Sequence, residues 1–272
     1  MGKIISFINQ KGGVGKTTTC VNLATFLAAY GKKVLIIDLD PQGNATTGVG
    51  IDKNLEMNTF YDILLDECTI KEAIIQTKFK NLSILPSNVD LAGSEVSLVQ
   101  RENREKVLKN IISTIKNDYD YIAIDCPPSL GLLTVNALTA TDTIIIPIQC
   151  EFYALEGLSQ LMNTVKLVKE YLNSSIEIEG VVLTMKDNRS NLVNQVAKEI
   201  KAFFGRKVYD TVIPRNVRLA EAPSHGLPIF VYDNRSTGSI AYQDLAIEFL
   251  KRNKDTGKLI NPKELVKGDK NV

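Results

Sequence analysis

One histidine, no tryptophan and four cysteines in 272 residues leave little material for metal-centred or redox chemistry. His225 has no second metal ligand or nucleophile near it in sequence, so a turn or interface role is expected of it rather than catalysis. Cys20, Cys68, Cys126 and Cys150 lack the paired spacing of a metal or redox motif and are expected to act as small buried hydrophobes. No apolar run approaches the length that spans a bilayer, and the chain passes from Met1-Gly2-Lys3 into a strand pattern with no signal peptide. A cytoplasmic location is therefore expected. Strong net charge is also lacking, but the total of +1 hides an asymmetry. Residues 1–185 carry 16 Lys and Arg against 21 Asp and Glu, net −5, while residues 186–272 carry 16 against 10, net +6. A basic C-terminal part suits a polyanion-binding face, and solvated lysines would produce the same composition.

What is present centres on residues 9–18, Asn-Gln-Lys-Gly-Gly-Val-Gly-Lys-Thr-Thr, directly after the apolar run 4–8. The order is strand, glycine-rich loop, helix start. Gly12, Gly13 and Gly15 are expected to take positive φ and let successive amides point at an anion, while a helix beginning near Lys16 turns its positive end toward the same place. With Val14 and Thr18 they would form a phosphate cradle, in which Lys16 meets the β/γ-phosphates and the Thr17 hydroxyl a magnesium ion. The general phosphate-loop pattern asks for glycine five residues before Gly15, where Gln10 stands. A mere glycine turn would need neither two lysines nor paired threonines.

Apolar residues at helical spacing over 17–30 lead to a continuous apolar strand at 33–37, closing a βαβ unit. That strand ends in Asp38-Leu39-Asp40-Pro41-Gln42-Gly43-Asn44, placing two carboxylates at a strand's C-terminal edge, where α/β proteins put their ligands. Short helices are expected at 60–65 and 70–75, a strand at 82–85, and a charged helix reaching to about 117. A second apolar strand, 119–125, ends in Asp125 and runs into Cys126-Pro127-Pro128-Ser129. Further strands at 143–147, 180–185 and 208–213 alternate with helices at 154–172 and 192–204. The pattern predicts an α/β fold: one doubly wound, mostly parallel sheet with helices on both faces. Residues 1–252 form a single domain in this reading, and 253–272, charged and broken by Gly257 and Pro262, read as a frayed tail.

The octet Lys-Gly-Gly-Val-Gly-Lys-Thr-Thr resembles the deviant Walker A motif of the ParA/MinD superfamily of P-loop ATPases. The resemblance extends from residue 3 to about 250, with Asp-Leu-Asp-Pro-Gln-Gly-Asn similar to that family's switch I and Asp125-Cys-Pro-Pro to its switch II. Pro-Arg-Asn-Val-Arg-Leu-Ala-Glu-Ala-Pro-Ser-His-Gly at 214–226 is similar to the Soj/ParA branch. The resemblance implies ATP and Mg2+ as cofactors and a homodimer closed over ATP, with Lys11 as the signature lysine reaching the partner's phosphates. It implies Asp40 as the residue positioning the attacking water, with Lys11, Lys16 and Asp40 as the catalytic set. Thr17, Asp38 and Asp125 would serve the metal, and Met185, Pro214 and Asn216 would contact the base. Arg189, Arg215 and Arg218 are implied as contacts to double-stranded DNA without sequence preference; arginine's planar fork suits phosphate. Also implied are a ParB/Spo0J-like centromere-binding partner that stimulates hydrolysis, nucleoid association, and a role in chromosome or plasmid segregation.

Two other readings compete. A MinD-like membrane-surface ATPase would need a C-terminal amphipathic helix, and the stretch 258–266 is short and carries Pro262. A metabolic relative, such as a nitrogenase-type iron protein, would need cluster cysteines that Cys126 does not match. The chain begins at its first strand, so no helix-turn-helix extension is expected before it.

Overall fold

The computed structural model describes residues 2–151, 154–186 and 191–267. Eight strands form one sheet: β1 (Lys3–Phe7), β2 (Val34–Asp38), β3 (Ile75–Gln76), β4 (Leu82–Leu85), β5 (Tyr121–Asp125), β6 (Thr143–Gln149), β7 (Glu177–Lys186) and β8 (Val208–Pro214). Their spatial order is β3-β4-β2-β5-β1-β6-β7-β8. Every pairing is parallel except that of β3 with β4. The expected architecture is therefore present, with β3 added: two residues on an edge are too few to leave a periodic signal.

Alternation along the strands shows how both faces are covered. Val34 and Ile36 of β2 pack with Phe26 and Leu27 of the helix α1 (Lys16–Ala29) and with Leu245 and Phe249 of the helix Thr237–Arg252. Leu35 and Ile37 point the other way, among Phe60, Leu108, Ile112 and Leu133. A third cluster joins Ile144, Ile146 and Ile148 of β6 to Leu161, Val165 and Ile200. Strands buried on both faces must be apolar throughout, which is why β2, β5 and β6 read as unbroken runs.

Three local expectations change. The charged helix expected to reach 117 is broken: Ser94–Val99 ends, Asn103 takes φ +50, and a new helix covers Val107–Ser113. Asparagine tolerates the left-handed region that interrupts a helix. A helix at Leu132–Ala140 was not foreseen; apolar almost throughout, it shows no amphipathic stripe. The segment expected to be a frayed tail is docked as far as residue 267. The Ile260 amide donates to the Ala29 carbonyl (3.1 Å), the Lys80 amide to the Leu265 carbonyl (2.7 Å) and the Lys267 amide to the Lys78 carbonyl (2.7 Å). Asp255 accepts from Lys32 (2.5 Å) and from the Tyr121 hydroxyl (2.7 Å). Leu265 is fully buried. Leu259, Ile260, Leu265 and Val266 are few among many charges, yet together they cover the end of α1 and the strap leading to β4.

Leu265→Ala should lower the unfolding free energy by about 2–4 kcal/mol in urea titration, the cost of a buried leucine truncation. A change of a few tenths would return the segment to the status of a frayed tail.

Candidate functional site

The C-terminal ends of β1, β2, β5 and β7 open on a cavity of about 580 Å³ lined by Gly12, Gly13, Gly15, Lys16, Thr17 and Thr18, by Asp40 and Gln42, and by Pro128. Its far wall is Thr184, Met185, Pro214, Arg215 and Asn216. Nearly every residue named for nucleotide contact thus borders one space, although Met185 lies some 170 positions from the loop in the numbering. Parallel strand ends bring them together.

The loop backbone follows from its glycines, with one difference. Gly13 (φ +74) and Gly15 (φ +87) occupy the left-handed region, whereas Gly12 does not. Gly15 is the N-cap of α1, and no side chain caps that helix. The leading amides are therefore left for something that enters the cavity, and the helix dipole favours an anion there. Three tethers hold the loop. Asn9 donates to the Pro147 carbonyl (2.7 Å) and accepts from the Lys11 amide (3.0 Å). The Thr184 hydroxyl, from β7, donates to the Val14 carbonyl (2.8 Å). Gln10 bonds Gln160 (2.6 Å). The tethering roles of Asn9 and Thr184 were not legible in the sequence because their partners lie 138 and 170 residues away.

Lys16 is buried, and its ammonium donates to the Lys11 carbonyl (3.1 Å). Burial pulls its pKa down, and the neighbouring carboxyl groups of Asp125 and Asp40 act against that. Lys11, half-exposed, is ion-paired with Glu151 within this protomer.

The acidic side is defined by register. Asp38 and Asp125 are paired positions at the ends of β2 and β5, and both are fully buried. Asp38 Oδ2 accepts from the Thr46 amide and hydroxyl (2.8 Å each), and Oδ1 from the Asp40 amide (3.2 Å). Burial raises its pKa to about 6 in spite of those bonds. Asp125 is pushed further up, by burial first and by Asp38 second. The Thr17 hydroxyl stands close enough to Asp125 to favour ionisation, yet neither Asp125 oxygen receives a well-formed hydrogen bond from the described residues. An orphaned, buried carboxylate beside a hydroxyl is an oxygen donor set that a hard cation satisfies, and the ammonium nearby suits an anion that such a cation would accompany. Magnesium fits it well, because that ion takes one or two protein oxygens and completes its shell with phosphate and water. Asp40 is buried at the cavity wall, with Oδ1 accepting from the Gln42 amide (2.9 Å).

The remaining candidates separate. Asn216 borders the cavity, but its side chain is engaged: it caps Val217–Glu221 by accepting from the Leu219 amide (3.3 Å) and donates to Thr237 (2.8 Å). Met185 takes φ +49, an uncommon conformation for a side-chain-bearing residue, at the point where β7 meets the cavity. Arg215 is exposed at the rim. Arg218 is exposed and paired with Glu221 (2.8 Å) and Asp233 (3.5 Å). Arg189 lies outside the described residues. His225 sits in a turn, its ring stacked on Tyr232 at 4.9 Å. Cys20, Cys126 and Cys150 are buried and Cys68 half-buried, all as free thiols. Among the described residues no helix is long and apolar enough to cross a membrane.

A family model described as an AAA domain matches residues 2–178. The chain is 59% identical over 248 residues to the sporulation initiation inhibitor protein Soj of Bacillus subtilis, covering 91% of this chain and 98% of that protein. It is 51% identical over 255 residues to the chromosome partitioning protein ParA of Caulobacter vibrioides, covering 93% and 96%. Among solved structures it is similar to cobyrinic acid a,c-diamide synthase from Mycobacterium smegmatis with bound ATP analogue and magnesium, with a TM-score of 0.82, 33% identity and coverage of 96% and 99%.

An uncompensated carboxylate destabilises the empty protein. Asp125→Asn should therefore raise the unfolding free energy without ligand, by on the order of 1 kcal/mol, and abolish the further stabilisation that MgATP adds over ATP in EDTA. Thermal scans with and without both components check this; an unchanged magnesium increment would detach Asp125 from the metal.

Proposed function

The chain belongs to the Soj/ParA family of chromosome-partitioning ATPases and is an ATP hydrolase, and from that premise we propose that it is a partition ATPase that closes as a homodimer on ATP, binds double-stranded DNA without sequence preference, and is released by hydrolysis. The observation that carries this reading is one cavity lined by the uncapped start of α1, by buried Lys16 and by Asp40, with the orphaned Asp125 carboxylate buried behind it.

In this mechanism ATP and Mg2+ are the cofactors. The amides of residues 12–18 and the Lys16 ammonium would hold the phosphates, and Thr17, Asp38 and Asp125 would hold the metal. Bound magnesium would neutralise phosphate charge as the β–γ bond breaks. Asp40, on the wall facing the loop, orients a water in line with the γ-phosphate; phosphoryl transfer asks mainly for positioning, and a fixed carboxylate supplies it. Pro214, Asn216 and Met185 border the base. Asn216 does so through its backbone and the helix it caps, since its amide is already bonded. Lys11 exchanges Glu151 for the partner's phosphates when the dimer forms, which makes closure responsive to ATP.

The DNA contacts are assigned to Arg189, Arg215 and Arg218 on the basic C-terminal part. Arg218 must give up Glu221 and Asp233 for phosphate, an exchange that exposed ion pairs permit at little cost. A ParB/Spo0J-like centromere-binding protein would accelerate turnover, and the protein would act on the nucleoid in the cytoplasm.

Lys16→Ala should weaken ATP binding by about 100-fold, the loss of one buried charge-assisted contact of about 3 kcal/mol; unchanged affinity by calorimetry would remove the phosphate-loop assignment. Asp40→Ala should keep ATP affinity and lower turnover by about 10²–10⁴-fold, accumulating dimer in light scattering, and normal turnover would place water positioning elsewhere. On a random-sequence duplex at one fixed salt concentration, binding should require ATP rather than ADP. It should weaken in Arg189→Glu, Arg215→Glu and Arg218→Glu, with a reduced salt slope. ATP binding without DNA binding would leave the nucleotide chemistry and sink the partition reading.

A further inference from the structure

Two hydroxyl residues that do not line the cavity complete a closed ring of hydrogen bonds behind it. The Thr46 hydroxyl donates to Asp38 Oδ2 (2.8 Å) and accepts from the Ser87 amide (2.9 Å). The Ser87 hydroxyl donates to the Asp40 carbonyl (2.7 Å), and the Asp40 amide returns to Asp38 Oδ1 (3.2 Å). Thr46 belongs to the short helix α2 (Asn44–Gly48) and Ser87 follows the end of β4, so the ring ties two separate elements to the three residues Asp38–Asp40 at the end of β2. Both residues are fully buried.

We propose that Thr46 and Ser87 are positioning residues for hydrolysis, fixing the main chain of Asp40 so that its carboxylate faces the cavity at a set height above the phosphate loop. This rests on the assignment of Asp40 as the residue that orients water. The ring leaves the Asp40 side chain itself free of Thr46 and Ser87, and its only bond in the ring's neighbourhood is to the Gln42 amide (2.9 Å). The carboxylate is therefore aimed by its backbone, and the backbone is held at both ends: the amide by Asp38, and the carbonyl by Ser87 and by the Gly43 amide (2.9 Å). The fit is close. Gly43 takes φ +58, and a Cβ there would stand 2.7 Å from the Ser87 carbonyl, so the turn after Asp40 can press on the β4 end only as glycine. Bonds shielded from water hold geometry well because solvent cannot replace them.

Misplacing a catalytic group by about 1 Å costs up to about 100-fold in rate. Ser87→Ala and Thr46→Val should each lower kcat for ATP hydrolysis at least tenfold. In both, KM and equilibrium ATP affinity should stay within about twofold of wild type, as for an interaction that matters in the transition state alone. Thr46→Ser, which keeps the hydroxyl, should restore most of the turnover that Thr46→Val loses. Variants with wild-type kcat overturn the proposal. So does a parallel loss of ATP affinity or of folded protein in circular dichroism, because that marks a structural role only. If Asp40→Ala itself keeps wild-type turnover, the failure lies with the assignment of Asp40, whereas normal turnover in the Thr46 and Ser87 variants alone places it with the ring.

Discussion

Two carboxylates that cannot both ionise comfortably govern the site. Parallel register sets Asp38 beside Asp125 at the ends of adjacent central strands, out of reach of water. Among the described residues Lys16 is the buried cation beside them, and its own burial holds its pKa down. Desolvation raises both acids first, the charge of Asp40 adds to it at Asp38 and that of Asp38 at Asp125, and Asp38 has more hydrogen bonds than Asp125 to relieve it. Stability alone would favour an apolar pair at these positions. Their presence makes sense when a divalent cation and phosphate complete the charge balance.

The phosphate loop is the counterpart on the other side of the cavity. Its own glycines supply conformational freedom, and freedom alone would leave the amides unaimed. The aiming comes from Asn9 on Pro147 and Thr184 on Val14, which anchor the loop to β6 and β7. Lys11 extends from the same loop to Glu151. The residues that would contact phosphate therefore sit on a frame built from the two strands that follow β1 on one side of it, and a displacement at the end of β6 or β7 would be felt there.

The basic C-terminal part is less uniform than its charge count suggests. Arg218 is neutralised by two carboxylates, Arg215 stands at the cavity rim, and Arg252 is spent on Glu248 (2.6 Å) and lies over the Tyr209 ring. Glu248 in turn accepts from the amides of Asp210 and Thr211 on the edge strand β8, at 3.0 and 2.9 Å. Part of the net +6 is thus bound up in holding the sheet edge rather than presented to a polyanion. Near the other end of the sheet, the docked stretch up to residue 267 shows that a charged, proline-broken segment can still be structural when a few apolar residues meet a surface that needs covering.

The sequence alone determined the phosphate loop, the two strands ending in acids, and the alternation of strands and helices, because each is written in contiguous residues with a short period. Helical breaks at Asn103, the apolar helix Leu132–Ala140 and the two-residue strand β3 were not legible, since none has a period long enough to stand out. Tertiary structure decided which distant residues share the site. Only folding joins Thr184 to Val14, sets Asp38 opposite Asp125, and brings Ser87 to Thr46 and Asp40. The physical reason is that a hydrogen bond or a desolvated charge depends on distance in space, and these partners are separated by 41 to 170 residues in Ser87–Thr46 and Thr184–Val14, with nothing local to report the contact.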